Sequence, residues 1–213
     1  MSIHIARTRF AIGDGLADRI LATLDSATED DWVAGSAWYH VAHEIAEEIA
    51  PHGVGAAVLA ALSPQVGWAP NIAAAQAMVM GEDPQPYGVL GPNIVKAQRI
   101  LDGERPFDVL GGNKVRNFCW NIQFPDDHGH VTVDRHALNI ALVGPGNTGA
   151  DHRLLARKGG YQLVAAAYRA AARSCWLVPN QLQAITWLTH RRLLDERATG
   201  NLAKAHIAQR RNI

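Results

Sequence analysis

Two charged residues, Lys114 and Asp134, stand at predicted helix starts in the stretch that offers the clearest chemistry. Gly111 and Gly112 precede the lysine and allow a turn that residues with a Cβ would resist, so the following amides can face an anion such as a DNA phosphate. The run 131–133, Val-Thr-Val, delivers Asp134 to a helix N-cap, where a carboxylate is favourable. The two residues could converge on one cleft as a catalytic pair, although each alone is more often a turn or cap residue.

The elements that would position this pair are predicted to be helices. Apolar residues at helical spacing, with proline and glycine stops, indicate helices over 14–25, 36–50, 53–62, 71–80, 93–102, from Lys114 onward, after Asp134 to about Val143, 160–173 and 180–192. The segment 53–62 has no polar face and is expected to be buried between other helices. Residues 81–92 are predicted to form a loop, residues 1–13 give no clear element, and a weakly basic tail begins at Asn201.

The predicted helix 180–192 carries Gln183, Trp187 and Arg191 at consecutive i+4 steps. These side chains offer an amide, a stacking indole and a guanidinium, which are the groups that recognise or hold a nucleotide. The alternative is a partly buried helix side without a ligand. The helix 160–173 also carries two arginines, at 169 and 173, four residues apart on one face.

A possible metal-binding pattern lies on the predicted helix 36–50. His40, His43, Glu44 and Glu47 are three and four residues apart, a spacing that can bind a metal. Histidine and glutamate on one helical face are more often solvated surface, and no separate third or fourth ligand is evident. No metal site is therefore predicted, and no cofactor is expected.

Composition and charge limit the classes of function. A chain of 213 residues that is 48% hydrophobic and 19% charged can bury a globular core, and its net charge is zero. Residues 14–48 carry nine acidic against one basic residue, whereas residues 96–213 carry seventeen basic against nine acidic residues. This distribution permits DNA binding. Because no apolar run reaches the roughly 18 residues of a membrane span and the N-terminus lacks the apolar core of a signal peptide, a cytoplasmic protein without membrane contact is expected.

The stretch LGGNKVRNFCWNIQFPDDHGHVTVDRHAL, residues 110–138, resembles the core of the helix-hairpin-helix DNA glycosylases, in particular the endonuclease III-like branch. That branch has a hairpin of the form LPGVGxK, a helix, and then a VDTH-type segment with the catalytic aspartate. On this comparison Lys114 falls on the lysine of the bifunctional glycosylase/lyases, and Asp134 falls on the catalytic aspartate. Two upstream segments also match in order, namely LSPQ followed by Asn71, and the helix 93–102 before the hairpin, so the likeness covers roughly residues 53–140.

The resemblance implies a surface that faces DNA and a pocket for an extruded nucleotide. Gln65 takes the role of the family's glutamine, which fills the space that the nucleotide leaves. The implied DNA-binding residues are Gln65, Gly111, Gly112, Asn113, Arg116, Arg135 and His136, and the implied nucleotide pocket consists of Trp68, Asn71, Gln183, Trp187 and Arg191.

The chain departs from the family pattern at several positions. Its hairpin glycines are adjacent and the hairpin proline is missing, Pro64 replaces an alanine, and the connection at 124–129 is longer. Cys119 and Cys175 cannot supply the four thiolates of an iron–sulfur cluster, so the cluster of some relatives is not expected, and neither is a disulfide. A strict endonuclease III equivalent is therefore not predicted.

The expected fold is all-α, a single glycosylase-like unit over residues 1–213 that is bilobal and contains a helix-hairpin-helix element. Lobe one covers about 51–138 and includes the hairpin, lobe two combines 1–50 with 139–213, and a cleft lies between them. The run 131–133 is too short for a sheet.

Three functions are open at this point. The first is a DNA glycosylase, with or without lyase activity, in which Asp134 stabilises the positive charge on the sugar and accepts a proton from the attacking group. Lys114 would be the attacking amine, its pKa lowered by burial and by the positive helix start. The second is a phage-type glycosylase-like enzyme that modifies a DNA base without excision, such as an amino acid:DNA transferase acting on an activated 5-substituted thymine. The third is a DNA-binding module without catalysis.

Overall fold

The structure is a computed structural model that describes residues 15–211, with side chains described for residues 15–199. Its helices are α1 (Leu16–Asp25), α2 (Glu29–Ile49), α3 (Val54–Leu62), α4 (Trp68–Val79), α5 (Gly91–Leu101), α6 (Pro106–Val109), α7 (Asn113–Gln123), α8 (Arg135–Val143), α9 (Arg153–Ala156), α10 (Gly160–Ser174) and α11 (Pro179–Arg211), with a 3₁₀ turn at Gln85–Tyr87. No strand occurs between residues 15 and 211, and the predicted all-α class is confirmed. The segment 1–13 lies outside the described residues.

Most predicted helices are confirmed to within three residues, but α2 and α11 are longer than predicted. Helix α2 begins at Glu29 because Thr28 and Asp31 cap it reciprocally: the Asp31 N–H donates to Thr28 Oγ1 (3.2 Å), and the Thr28 N–H donates to the Asp31 carboxylate (3.0 Å). Helix α11 continues to Arg211, so the predicted helix end at residue 192 is wrong and the basic segment from Asn201 begins within a helix. No proline follows Pro179, and the later residues include many good helix formers.

The chain divides into two compact units, one of residues 37–132 and one of residues 1–36 with 133–213. In the 37–132 unit, α3 packs against α4, α5 and α7. Residues 56–62 of α3 are at most 1% exposed, which confirms the predicted burial of this apolar helix. A Cβ at Gly55 would collide with the carbonyl oxygen of Ala46, so α3 approaches the backbone of α2 closely and glycine is required there.

The other unit is built around α1, which contacts α8, α10 and α11. A Cβ at Gly35 would lie 2.5 Å from the Cα of Ile185, so the first part of α2 packs directly on α11. The Arg192 guanidinium reinforces this contact with an ion pair to Asp31 (2.9 Å). Burial would raise the pKa of Asp31, but hydrogen bonds from Thr28 and Arg192 lower it below its ordinary value.

Hydropathy along the described helices gives one finding on membranes. Between residues 15 and 211, no single helix is long and apolar enough to cross a membrane. Helices α2 and α3 reach that length and composition only when taken together, across a bend of 107°.

Candidate active site

Asp134 is held in place by a buried, extended segment. Val131 and Val133 are fully buried, and the Val133 N–H donates to the Tyr161 hydroxyl at 3.0 Å. Asp134 itself has extended backbone angles and is the N-cap of α8, as predicted. The buried run 131–133 therefore fixes the position of Asp134 at the start of α8.

Both carboxylate oxygens of Asp134 accept hydrogen bonds. Oδ1 accepts from the Ala137 N–H at 2.8 Å, which is the capping bond, and Oδ2 accepts from the Trp187 indole Nε1–H at 3.2 Å. The side chain is half-buried, and each oxygen keeps a lone pair for a further partner. The carboxylate is thus oriented by α8 on one side and by α11 on the other.

Two histidines lie beside this pair. The His136 ring packs edge-on against the ring of Trp187 (centroids 5.8 Å apart) and against the ring of His190 (5.6 Å). His190 is fully buried, and its Nδ1 accepts a hydrogen bond from the Gly146 N–H at 3.1 Å, so the neutral ring carries its proton on Nε2. Burial and the neighbouring His136 lower the pKa of His190 to about 4.

The predicted stripe on α11 is only partly exposed. Gln183 is buried, Trp187 is half-buried and Arg191 is exposed. The Arg191 guanidinium carbon lies 5.1 Å from the Trp187 ring centroid, a cation–π contact on one face of the indole. Tyr168 of α10 is fully buried, and burial raises the pKa of its hydroxyl.

The predicted DNA-binding residues next to Asp134 differ in their exposure. Arg135 is exposed, and its Nε lies 3.4 Å from His136 Nε2, a long hydrogen bond. His136 is half-buried and packs as described above. Asp134, His136, Trp187 and Arg191 therefore form one cluster in the unit that contains residues 133–213.

The predicted hairpin residues lie in the 37–132 unit, at the start of α7. Gly112 is the N-cap of this helix with φ +74°, and Gly111, Gly112, Asn113 and Lys114 are all exposed. The expected burial of Lys114 is therefore wrong, because the side chain projects from the first helical turn into solvent. A Cβ at either glycine would meet nothing within 4 Å, so only the backbone angle at Gly112 favours glycine.

Arg116 has a structural role in the turn before α7. Its Nε donates to the Leu110 carbonyl (2.7 Å), and its Nη2 donates to the Phe107 carbonyl (2.7 Å). The side chain is nevertheless exposed, and the guanidinium has further N–H groups for a phosphate.

The remaining predicted residues lie at the junction of α3 and α4. Gln65 is exposed and has φ +69°, in a turn closed by the Val66 N–H and the Ser63 carbonyl (3.3 Å), with Pro64 at the second position as in a type II turn. Trp68 packs on Trp38 (ring centroids 5.0 Å apart) and on Phe118 (6.4 Å). Asn71 is buried, and its Nδ2 donates to the Leu59 carbonyl at 3.0 Å, so it ties α4 to α3.

The histidine and glutamate face of α2 has local structural contacts. His43 Nδ1 lies 3.0 Å from the Ile122 carbonyl, and His40 Nε2 lies 3.3 Å from the Asp126 carboxylate. Glu47 accepts hydrogen bonds from the N–H groups of His52 and Gly53, both at 3.1 Å. These contacts give structural roles to three of the four residues in the possible metal-binding pattern, namely His40, His43 and Glu47.

Sequence reasoning missed His190 and Tyr168, which lie next to the Asp134 cluster. His190 follows Trp187 by three residues, so helical spacing alone places both on one side of α11. That signal was masked by the adjacent pair Arg191 and Arg192, which makes the segment resemble an exposed basic face.

Comparison with known proteins adds a family and no assigned function. No curated protein and no solved structure matches the chain. The sequence profile of DUF7178, a family of unknown function, matches residues 5–193, and the chain belongs to that family.

Proposed function

We propose that this protein is a DNA base-excision enzyme that cleaves the N-glycosidic bond of an extruded nucleotide, with Asp134 as the catalytic carboxylate. The observation that carries the proposal is the double fixation of Asp134 by the Ala137 amide (2.8 Å) and the Trp187 indole (3.2 Å) at the start of α8. A negative group oriented in this way, half-buried and beside aromatic rings, matches the electrostatic need of a reaction that builds positive charge on a sugar.

The proposed reaction uses the carboxylate in two ways. As the C1′–N bond breaks, its electron pair leaves with the base and positive charge develops on the sugar, which the Asp134 carboxylate stabilises. Water, or the amine of Lys114, then adds at C1′ and transfers a proton to Asp134. The base must leave the helical stack before it reaches these groups.

DNA recognition is assigned to two sets of exposed groups. The turn 111–113 offers backbone amides at a helix start for a phosphate, and Lys114, Arg116 and Arg135 offer positive charge. Gln65, exposed on its turn, would fill the gap that the extruded nucleotide leaves in the duplex. The proposal includes the finer architecture: a helix-hairpin-helix element at the start of α7, and a bilobal bundle whose cleft receives the nucleotide.

The exposure of Lys114 favours a second version of the chemistry. An amine nucleophile must be neutral, and burial is the main means by which proteins achieve this for lysine. Because Lys114 is exposed, a reaction that depends on Asp134 without a lysine nucleophile is also supported. This is either excision by water alone or modification of a base without excision, such as transfer of an amino acid to an activated 5-substituted thymine.

The test is mass spectrometry of duplex oligonucleotides that carry a panel of damaged or 5-substituted bases, after incubation with the protein. Excision removes the mass of a base, and transfer adds mass. In both cases Asp134→Asn should abolish the change. A set of substrates that the wild-type protein binds but leaves unaltered would reduce the protein to a DNA-binding module and refute the catalytic proposal.

Lyase activity is tested by borohydride trapping. A Schiff base between Lys114 and the sugar is reduced to a stable protein–DNA adduct, which Lys114→Ala cannot form. Lys158→Ala removes another exposed lysine and is the matched control. Trapping that survives Lys114→Ala would exclude this residue as the nucleophile, and base loss without trapping would identify excision by water.

A further inference from the structure

Trp176, in the turn between α10 and α11, is the most exposed large apolar residue in the described part of the chain. Its relative exposure is 93%, whereas the next highest value, that of Met80, is 72%. An indole exposed to water lacks the favourable free energy that burial of its large apolar area gives in a core or an interface. Single exposed apolar residues are common on protein surfaces, so exposure alone assigns no role.

The backbone at Trp176 provides a second observation. Helix α10 ends in a Schellman motif, in which the Leu177 N–H donates to the Ala172 carbonyl at 3.1 Å and Trp176 occupies the following left-handed position with φ +61°. This position usually holds glycine, because a Cβ is unfavourable there. In this chain a tryptophan occupies a backbone position that favours glycine, and its side chain points into solvent.

The charge around Trp176 provides a third observation. Residues 152–194 contain seven lysines and arginines and no aspartate or glutamate, and of these Arg153, Arg157 and Arg192 form ion pairs with acidic residues outside this range. Arg173, three residues before Trp176, is exposed and forms no ion pair within the described residues, and Arg169 precedes it by one helical turn. Arg173 therefore offers a positive charge, three residues from Trp176, to a negatively charged group.

We infer that Trp176 is a DNA-contacting residue whose indole stacks on a nucleotide base, while Arg173 binds the adjacent phosphate. Stacking on an exposed aromatic ring with a flanking cation is the general means of binding nucleic acids without reading sequence. The inference rests on the proposed function for the choice of DNA as the ligand. It adds a contact point that none of the predicted site residues includes.

The experiment measures binding of the full-length protein to a fluorescein-labelled duplex with a single-stranded extension, by anisotropy over a range of salt concentrations. Trp176→Ala should weaken binding on the order of tenfold without changing the salt dependence, and Trp176→Phe should restore most of the affinity. Arg173→Ala should reduce the log–log salt slope by about 0.9. Leu163→Ala removes another exposed apolar side chain of the same acid-free segment and should change neither quantity.

A glycine variant separates binding from folding. Trp176→Gly relieves the left-handed strain, so its melting temperature should not fall below that of the wild-type protein, yet it should bind DNA as weakly as Trp176→Ala. If the wild-type protein binds DNA and the alanine and glycine variants bind equally well, this inference is refuted and the proposed function is unaffected. If the wild-type protein does not bind DNA, both are refuted. A change in salt slope for Trp176→Ala would also refute stacking as the source of the affinity.

Discussion

Asp134→Asn is the most informative single substitution because it removes charge with almost no change in shape. Asparagine is itself a good N-cap, so its amide oxygen can keep the bond from the Ala137 N–H. The amide nitrogen then faces the Trp187 indole N–H, which donates to Oδ2 in the wild-type protein at 3.2 Å. Turning the amide over only moves the conflict, because its nitrogen then faces the Ala137 N–H.

The cost of this substitution to stability is modest. Two N–H donors that face each other cannot form a hydrogen bond, and loss of this bond lowers the free energy of unfolding by about 1 kcal/mol. Water can accept part of the hydrogen bonding in its place because the site is half-buried. Loss of a negative charge at the start of α8 adds about 0.5 kcal/mol. For a chain of this length, about 1–2 kcal/mol lowers the melting temperature by roughly 2–8 °C. The protein therefore stays folded at the assay temperature, and activity can be compared directly.

The expected loss of activity is much larger than the loss of stability. Removing a preorganised group that stabilises charge in a transition state costs on the order of 100-fold or more in rate. The measurement pairs single-turnover base release, or mass gain, with a thermal melt of the same preparation. A folded Asp134→Asn protein that retains wild-type turnover would refute Asp134 as the catalytic carboxylate.

Trp187→Phe provides the matched background for this test. Phenylalanine keeps an aromatic ring beside His136 but has no indole N–H, so the conflict with asparagine disappears. In a double-mutant cycle, the stability cost of Asp134→Asn should fall by about 1 kcal/mol in the Trp187→Phe background. Strictly additive stabilities would show that the Asp134–Trp187 hydrogen bond does not orient the carboxylate.

Three further predictions test other parts of the structure. As pH falls from about 6.5 to about 4, His190 should cost the wild-type protein about 3 kcal/mol of stability, because its pKa is about 4 in the folded protein and it takes up a proton at higher pH in the unfolded chain. His190→Asn keeps an acceptor for the Gly146 N–H, so urea titrations of this variant should show a smaller loss of stability over the same pH range. Gln65→Gly relieves a left-handed backbone, so stability should be unchanged or rise by up to about 1 kcal/mol while activity falls more on duplex than on single-stranded DNA; equal losses would exclude the gap-filling role. Gly35→Ala should cost about 1–3 kcal/mol in urea unfolding, because its Cβ would lie 2.5 Å from the Cα of Ile185, whereas Gly91→Ala, with nothing within 4 Å, is the neutral control.

Several features of this fold could be predicted because they depend on local chemistry. The segment 53–62 lacks a polar face, and a helix of that kind can only be buried, as α3 is. Asp134 follows two buried valines and precedes a helical pattern, which is the setting of an N-cap. The end of α8 at Val143 follows from the glycine and proline that come directly after it.

The features that could not be predicted depend on tertiary packing or on weak local signals. Two arginines follow His190, so the local sequence suggests an exposed segment. His190 is nevertheless fully buried, because this side of α11 packs against the other helices of its unit. Trp176 lies in an apolar run, Cys-Trp-Leu-Val, that would ordinarily predict burial, yet the Schellman turn directs the indole outward. Thr28 and Asp31 have the spacing of a reciprocal helix cap. A threonine followed by three acidic residues is not specific to a helix start unless an apolar pattern of helical period follows it.

The left-handed residues link the proposed functions to the energetics of the fold. Within residues 15–211, the non-glycine residues with positive φ are His52, Gln65 and Trp176. At His52 the strain has a local reason, because Glu47 accepts hydrogen bonds from the His52 and Gly53 N–H groups. Gln65 and Trp176 are exposed, and their side chains add little packing to the protein that would offset a strained backbone. In the proposed function Gln65 fills a gap in a base stack, and in the further inference Trp176 stacks on a base, so bound DNA would supply at both positions the contacts that the isolated chain lacks.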